Sequence, residues 1–127
     1  LTAPALPHAV NLVFVALILL FVSSKKDGAA VWGDYYSKEL TKVINAAVPN
    51  DEIILDVHKA TEIAKNNEIS TSEIFEFNNL ENEVCVKLAK GKKTCYNYFN
   101  NIDISHELKI AQPEKNFLIL KISKAQK

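Results

Sequence analysis

The run AVNLVFVALILLFV, Ala9 to Val22, is fourteen residues long and holds a single polar member, Asn11. With its softer flanks, from Ala3 to Ser24, it reaches the ~20 residues that a helix needs to cross a ~30 Å hydrocarbon layer. It has no amphipathic stripe, and a helix that is apolar all round is buried either in lipid or in protein. The remainder of the chain is far more polar and, at roughly one hundred residues, has the length of one small domain. The expected organisation is therefore a hydrophobic helix and linker over residues 1–33, then an α+β head over residues 34–127. Asn11 would either hydrogen-bond to neighbouring helices in a membrane or lie near the interface.

Fifteen basic and fifteen acidic side chains cancel. No basic cluster is present to track a phosphate backbone, so nucleic acid is not an expected partner. Twelve asparagines and the absence of methionine are unusual, but neither points to a function. Leu1 is too large to follow an initiator methionine removed by aminopeptidase, and it reads as an endoproteolytic cut or as the start of a truncated chain. Pro4 and Pro7 suit a first turn or an extended lead-in.

Beyond Val22, the stretch Ser23 to Gly28 reads as interfacial and flexible. Val31, Trp32, Tyr35 and Tyr36 form an aromatic group that either sits at a membrane boundary or packs in a domain core. Asp34 is a good N-cap for a helix from Tyr35 to about Val48, stopped by Pro49 and Asn50. Tyr36, Leu40, Val43, Ile44 and Ala47 share one face of its 3.6-residue period, while Lys38, Glu39 and Lys42 face away. The β-branched run Glu52 to Val57 reads as a strand, and a helical piece from about Lys59 to Asn66 comes after it. Ser70 with Glu73 resembles a capping box for a short helix from Thr71 to Phe77, but the alternation of Ile74, Phe75 and Phe77 equally fits a strand.

From Glu83 the pattern sharpens. Val84, Val86 and Leu88 alternate with Glu83, Cys85 and Lys87; Ala89, Lys90 and Gly91 turn the chain; Thr94, Tyr96 and Tyr98 then alternate with Lys93, Cys95 and Asn97. A three-residue hairpin loop places a left-handed residue, usually glycine, at its third position. Gly91 fits, Leu88 then pairs with Lys92, and Cys85 falls opposite Cys95 with Cα atoms ~4.5 Å apart, within disulfide range. Such a bridge stabilises by about 2–3 kcal/mol and implies that the head faces an oxidising compartment. Ile102 to Ile110 and Asn116 to Ser123 are two further strands, and the nearly continuous apolar run NFLILKIS suits a central one.

Few residues invite chemistry. The cysteine spacing, with no histidine nearby, does not match a zinc site. His8, His58 and His106 are scattered over different elements. Asp56 and His58 share one face of the predicted strand and could form an acid–base pair, yet no nucleophile stands in a recognisable turn near them. Glu81, Glu83 and the segment Asn78 to Asn82 offer oxygen ligands to calcium without an EF-hand pattern, and a solvated loop is the simpler reading. The glycine count of three leaves no phosphate-binding loop. Neither enzymatic activity, a metal nor a cofactor is expected.

An apolar helix close to a processed terminus, a glycine break and a small disulfide-containing head together resemble the layout of type IV pilin-like proteins, including archaeal ones with class III signal peptides. Ala5 stands where bacterial pilins usually carry Glu, and Pro4 and Pro7 interrupt the usual helix start. The resemblance implies a structural subunit of an extracellular filament. Leu12, Phe14, Leu17, Leu20 and Phe21 would pack against copies of the same helix in the core, with membrane lipid surrounding it before assembly. The segments Asp56 to Ala64, Asn82 to Val86 and Tyr98 to Ile104 also look like small uncharacterised membrane-anchored archaeal proteins, a resemblance that implies no activity. The alternative expectation is a single-pass accessory subunit of a larger membrane complex, with other membrane subunits as partners and the head as a docking module. Lys25 and Lys26 favour a cytoplasmic head by the positive-inside rule, whereas the cysteine pair favours an external one. The cysteine geometry is the more specific signal.

Overall fold

The computed structural model describes residues 28–112 and 115–126. The apolar run and its packing residues Leu12, Phe14, Leu17, Leu20 and Phe21 lie outside the described residues. The first described helix, α1 (Ala29–Ala46), starts about one and a half turns earlier than Asp34 would place it. Gly28 precedes it in the left-handed conformation, φ 80°, and no side chain caps it. Packing explains the difference: Ala29, Gly33, Tyr36, Ser37, Leu40 and Ile44 are all buried and form one stripe at spacings of three and four. That stripe draws the aromatic stretch into the helix. Val43, expected on the same face, is only half-buried. Buried Ser37 satisfies its hydroxyl within the helix by donating to Gly33 O at 2.7 Å.

Strand β1 (Glu52–Asp56) leads directly into α2 (His58–Asn66), close to the expected bounds. The ambiguous segment resolves into both of its readings. Thr71–Ile74 makes one helical turn, α3, and Phe75–Asn78 is strand β2. No capping box forms: the Ser70 hydroxyl meets that of Ser72 at 3.1 Å, and the Glu73 amide donates to the Ser70 backbone carbonyl at 2.9 Å instead of to its side chain.

Strands β3 (Glu83–Ala89) and β4 (Lys92–Asn97) form the expected hairpin. Cys85 stands opposite Cys95, the two are disulfide-bonded, and their Cα atoms are 4.1 Å apart. Gly91 is left-handed as anticipated, φ 72°. One detail differs. The ladder shifts between Lys87 and Ala89, so that Ala89 rather than Leu88 faces Lys92. The shift lets both Leu88 and Ala89 remain buried next to the loop. Strands β5 (Ile102–Gln112) and β6 (Lys115–Lys124) form a second, longer hairpin.

The strands make two antiparallel three-stranded sheets, β1-β6-β5 and β2-β3-β4. The run NFLILKIS is central, as its composition predicts, and Asn116, Leu118, Leu120 and Ile122 turn inward on alternate positions. Helix α1 crosses the face of the second sheet that carries Thr94 and Tyr96. A Cβ on Gly33 would lie 3.4 Å from Thr94 Oγ1, and the Tyr96 hydroxyl reaches Asp34. Cys85 and Cys95 occupy the intervening positions, so the disulfide lies on the opposite face. A single core joins the layers, with Leu40 and Ile44 of α1, Ile63 of α2, Val84 of β3 and Leu118 and Leu120 of β6 at 0–1 % exposure. Each such side chain contributes about 1.5–3 kcal/mol relative to an exposed one.

Candidate functional site

Helix α2 forms one wall of a cleft of about 640 Å³, a size typical of small-molecule sites. The helix begins where β1 ends, and Asp56 Oδ1 accepts the backbone N–H of His58 at 3.0 Å. The expected Asp56–His58 acid–base pair is thus a backbone cap. The imidazole turns the other way, with Nε2 3.4 Å from Glu62 Oε2 one turn along the helix. Glu62 also meets Lys59 Nζ, at 3.3 Å.

Behind this pair sits Thr61. Its hydroxyl donates to His58 O at 2.8 Å and accepts from Asn116 Nδ2 at 2.6 Å. Asn116 projects from β6 and is only 6 % exposed. The Thr61 proton is committed to the His58 carbonyl, so Thr61 can only accept from Asn116, which fixes the orientation of the amide. Asn116 Oδ1 is then left buried without a partner among the described residues, as is His58 Nδ1. An unsatisfied buried acceptor costs about 1–3 kcal/mol. Lys65 continues the polar wall, and Ile69, Ile74 and Ile110 supply an apolar one. His58 thus keeps Nδ1 buried without a partner among the described residues and turns Nε2 to Glu62.

The other predicted positions lie apart from this cleft. His8 is outside the described residues. His106, on β5, lies with its ring centroid 4.8 Å from that of Phe77, and partial burial holds its pKa below the ordinary 6.5. In the Asn78 to Asn82 segment, Asn78 Oδ1 accepts the amides of Leu80 and Glu81 at 3.0 Å, while Asn97 Nδ2 binds the carbonyls of Glu81 and Asn82. These oxygens hold the loop together instead of facing a cation. Glu83, Cys85 and Cys95 place ligand-type atoms within 4.8 Å of one another, but both sulfurs belong to the disulfide and offer no thiolate.

Part of the aromatic group packs in the core and part stays at the surface. Tyr36 is buried and in ring contact with Trp32 and Tyr35, whereas Val31 and Tyr35 remain 45 % and 50 % exposed. Sequence reasoning missed Thr61, Glu62 and Asn116. Two signals were available: the i, i+4 spacing of His58 and Glu62, and a polar residue in the inward phase of an otherwise apolar strand. Among the described residues no helix is long and apolar enough to cross a membrane. Comparison with protein-family models, with curated proteins and with solved structures finds no match.

Proposed function

We propose that the chain is a structural subunit of a pilin-like extracellular filament, with Leu12, Phe14, Leu17, Leu20 and Phe21 packed against copies of themselves and the head turned outward. The observation that carries this reading is the relation of the apolar run to α1. Only six residues separate Val22 from Ala29, and α1 lies directly on an antiparallel sheet whose central hairpin is closed by a disulfide. Such a layout suits a helical stalk carrying a small rigid head. The disulfide supports an oxidising surrounding for that head. Val31 and Tyr35, half-exposed on the first two turns after the apolar run, suit the boundary where a stalk emerges from lipid or from a bundle. Apolar helices in a filament core would exchange lipid contact for van der Waals contact with one another.

Negative-stain electron microscopy of native protein extracted in mild detergent, beside a non-reducing mass measurement, tests the proposal. Regular filaments of this chain with an oxidised Cys85–Cys95 pair are the expected result. Discrete particles in which the chain stands in fixed ratio to other polypeptides would overturn it in favour of an accessory subunit.

A further inference from the structure

We infer that the free edge of β5 is a docking edge for the β5 of a second copy of this chain, paired antiparallel about Leu108. The first warrant is the direction of the backbone groups. The Asn79 carboxamide takes up both backbone groups of Ile104, and Ile122, opposite Ile104 in the ladder, turns its own to Asn50 and Asp51. Ile104 and Ile122 are therefore a non-hydrogen-bonded pair. The alternation of an antiparallel ladder then aims the N–H and C=O of His106, Leu108 and Ile110 away from β6 as well. No described strand receives them, since β5 ends its sheet. Both limits of this open stretch are built in: Asn79 closes it before His106, and the ladder to β6 shifts just after Ile110. His106, Glu107, Lys109 and Ile110 are exposed, and Leu108 is half-buried.

Charge names the partner. Glu107 and Lys109 flank Leu108 on the face opposite its side chain, and neither is ion-paired among the described residues. A twofold axis through Leu108 sets Leu108 against Leu108 and His106 against Ile110 of the second copy, as pairs that each exchange two hydrogen bonds. The same register puts Glu107 directly opposite Lys109 of the second copy, and Lys109 opposite its Glu107, with Cα atoms about 4.5 Å apart. Neighbouring registers lose this match. Centring on Glu107 or on Lys109 brings like charges face to face, which is destabilising. Centring on His106 calls on the Ile104 groups that Asn79 already holds. Centring on Ile110 sets Glu107 beyond the end of the other β5, which stops at Gln112. Edge strands are commonly protected by charge, but two opposite charges two residues apart make this edge complementary to itself. On the other face the pairing sets Leu108 beside its own copy and covers part of Ile110, which is 55 % exposed in the single chain.

The pairing is independent of filament assembly, and its test separates the two. Full chain carrying Glu107→Cys is mixed in detergent with full chain carrying Lys109→Cys; the mixture and each variant alone are oxidised mildly and run on non-reducing gels. The expected result is a covalent dimer in the mixture at least about tenfold above either variant alone, because position 107 meets only position 109, within disulfide range. That heterodimer also keeps one Lys109–Glu107 pair. Charge reversal gives the second readout, with Leu108→Cys, which meets itself across the axis at about 5.5 Å between Cα atoms, as the reporter. Adding Lys109→Glu or Glu107→Lys should lower its covalent dimer about tenfold, since two attractive pairs become two repulsive ones. Adding both should restore it. All the charge changes fall on exposed positions, so folding is not at stake. The inference is overturned if the mixture gives no more dimer than the separate variants, or if the double reversal does no better than the single ones. Filaments, present or absent, change neither reading, because each compares registers of one pair of strands.

Discussion

The side-chain amide of Asn79 engages both backbone groups of Ile104. Its Oδ1 accepts the Ile104 N–H at 2.9 Å and its Nδ2 donates to the Ile104 carbonyl at 3.1 Å. Asn79 immediately follows β2 and Ile104 lies in β5, so one carboxamide acts as a surrogate peptide group linking the two sheets. Ile104 is buried, and water cannot readily replace these contacts. Asn79→Ala should therefore cost roughly 2–4 kcal/mol, the penalty for two orphaned backbone groups. Urea unfolding measures the loss, and hydrogen exchange at the Ile104 amide should accelerate first. A variant within ~0.5 kcal/mol of wild type would show that the sheets do not depend on this link.

The disulfide closes a short hairpin across ten residues of sequence. Chain-entropy arguments give such a bridge about 2–3 kcal/mol. Cys85→Ala with Cys95→Ala should lower the melting temperature by roughly 10–20 °C. The hairpin itself should survive, because Gly91 and the apolar alternation set its register independently. Loss of the Val84–Tyr96 cross-strand contact in nuclear Overhauser spectra would refute that independence.

Helix α2 ends in a Schellman arrangement, with Ile69 N–H bonded to Ala64 O at 2.8 Å and Glu68 N–H to Lys65 O at 3.1 Å. The left-handed position, φ 60°, is held by Glu68. A residue with a Cβ is strained there, and glycine is the usual occupant. The Glu68 carboxylate pairs with Lys90 Nζ at 3.5 Å, an exposed contact worth little. Glu68→Gly is expected to stabilise the protein by roughly 0.5–1 kcal/mol. Thermal denaturation checks the sign, and a lower melting temperature would refute it.

Patterns of apolar residues made much of this fold readable: the β3–β4 hairpin and its cysteine pairing, the inward face of α1 and the central place of NFLILKIS. Where the sequence misled, longer-range packing had displaced a local signal. Asp34 is a sound N-cap by type, but the buried stripe running back to Ala29 extends the helix past it. The long-range contacts of the asparagines were not visible in the sequence. In the structure Asn100 Nδ2 caps α1 through Ile44 O and Ala47 O, Asn45 Oδ1 accepts the Phe99 amide, and Asn67 Nδ2 reaches Leu88 O. These contacts join residues 21 to 56 positions apart, which no local period encodes. The cleft was unreadable for the same reason, since Thr61 and Asn116 are 55 residues apart in sequence.

Asp34, displaced from the capping role, has a different electrostatic one. It accepts a hydrogen bond from the Tyr96 hydroxyl and pairs with Lys38 Nζ at 2.9 Å. The Tyr96 bond first, and Lys38 second, hold its pKa below the ordinary 3.8, while the bond to Asp34 raises Tyr96 above the ordinary 10.0. The depressed carboxyl contributes stability that is complete above 3.8 and is lost as pH falls through its folded value. The raised phenol contributes stability that is complete below 10.0 and is lost as pH rises through its own folded value. The stability difference between wild type and Tyr96→Phe should therefore be widest near neutrality and narrow at both extremes. Carboxyl-carbon NMR should show the Asp34 pKa moving up towards 3.8 in Tyr96→Phe. A difference that stays constant across the acid limb would mean that the tyrosine acts through packing alone, without its hydrogen bond to the carboxylate.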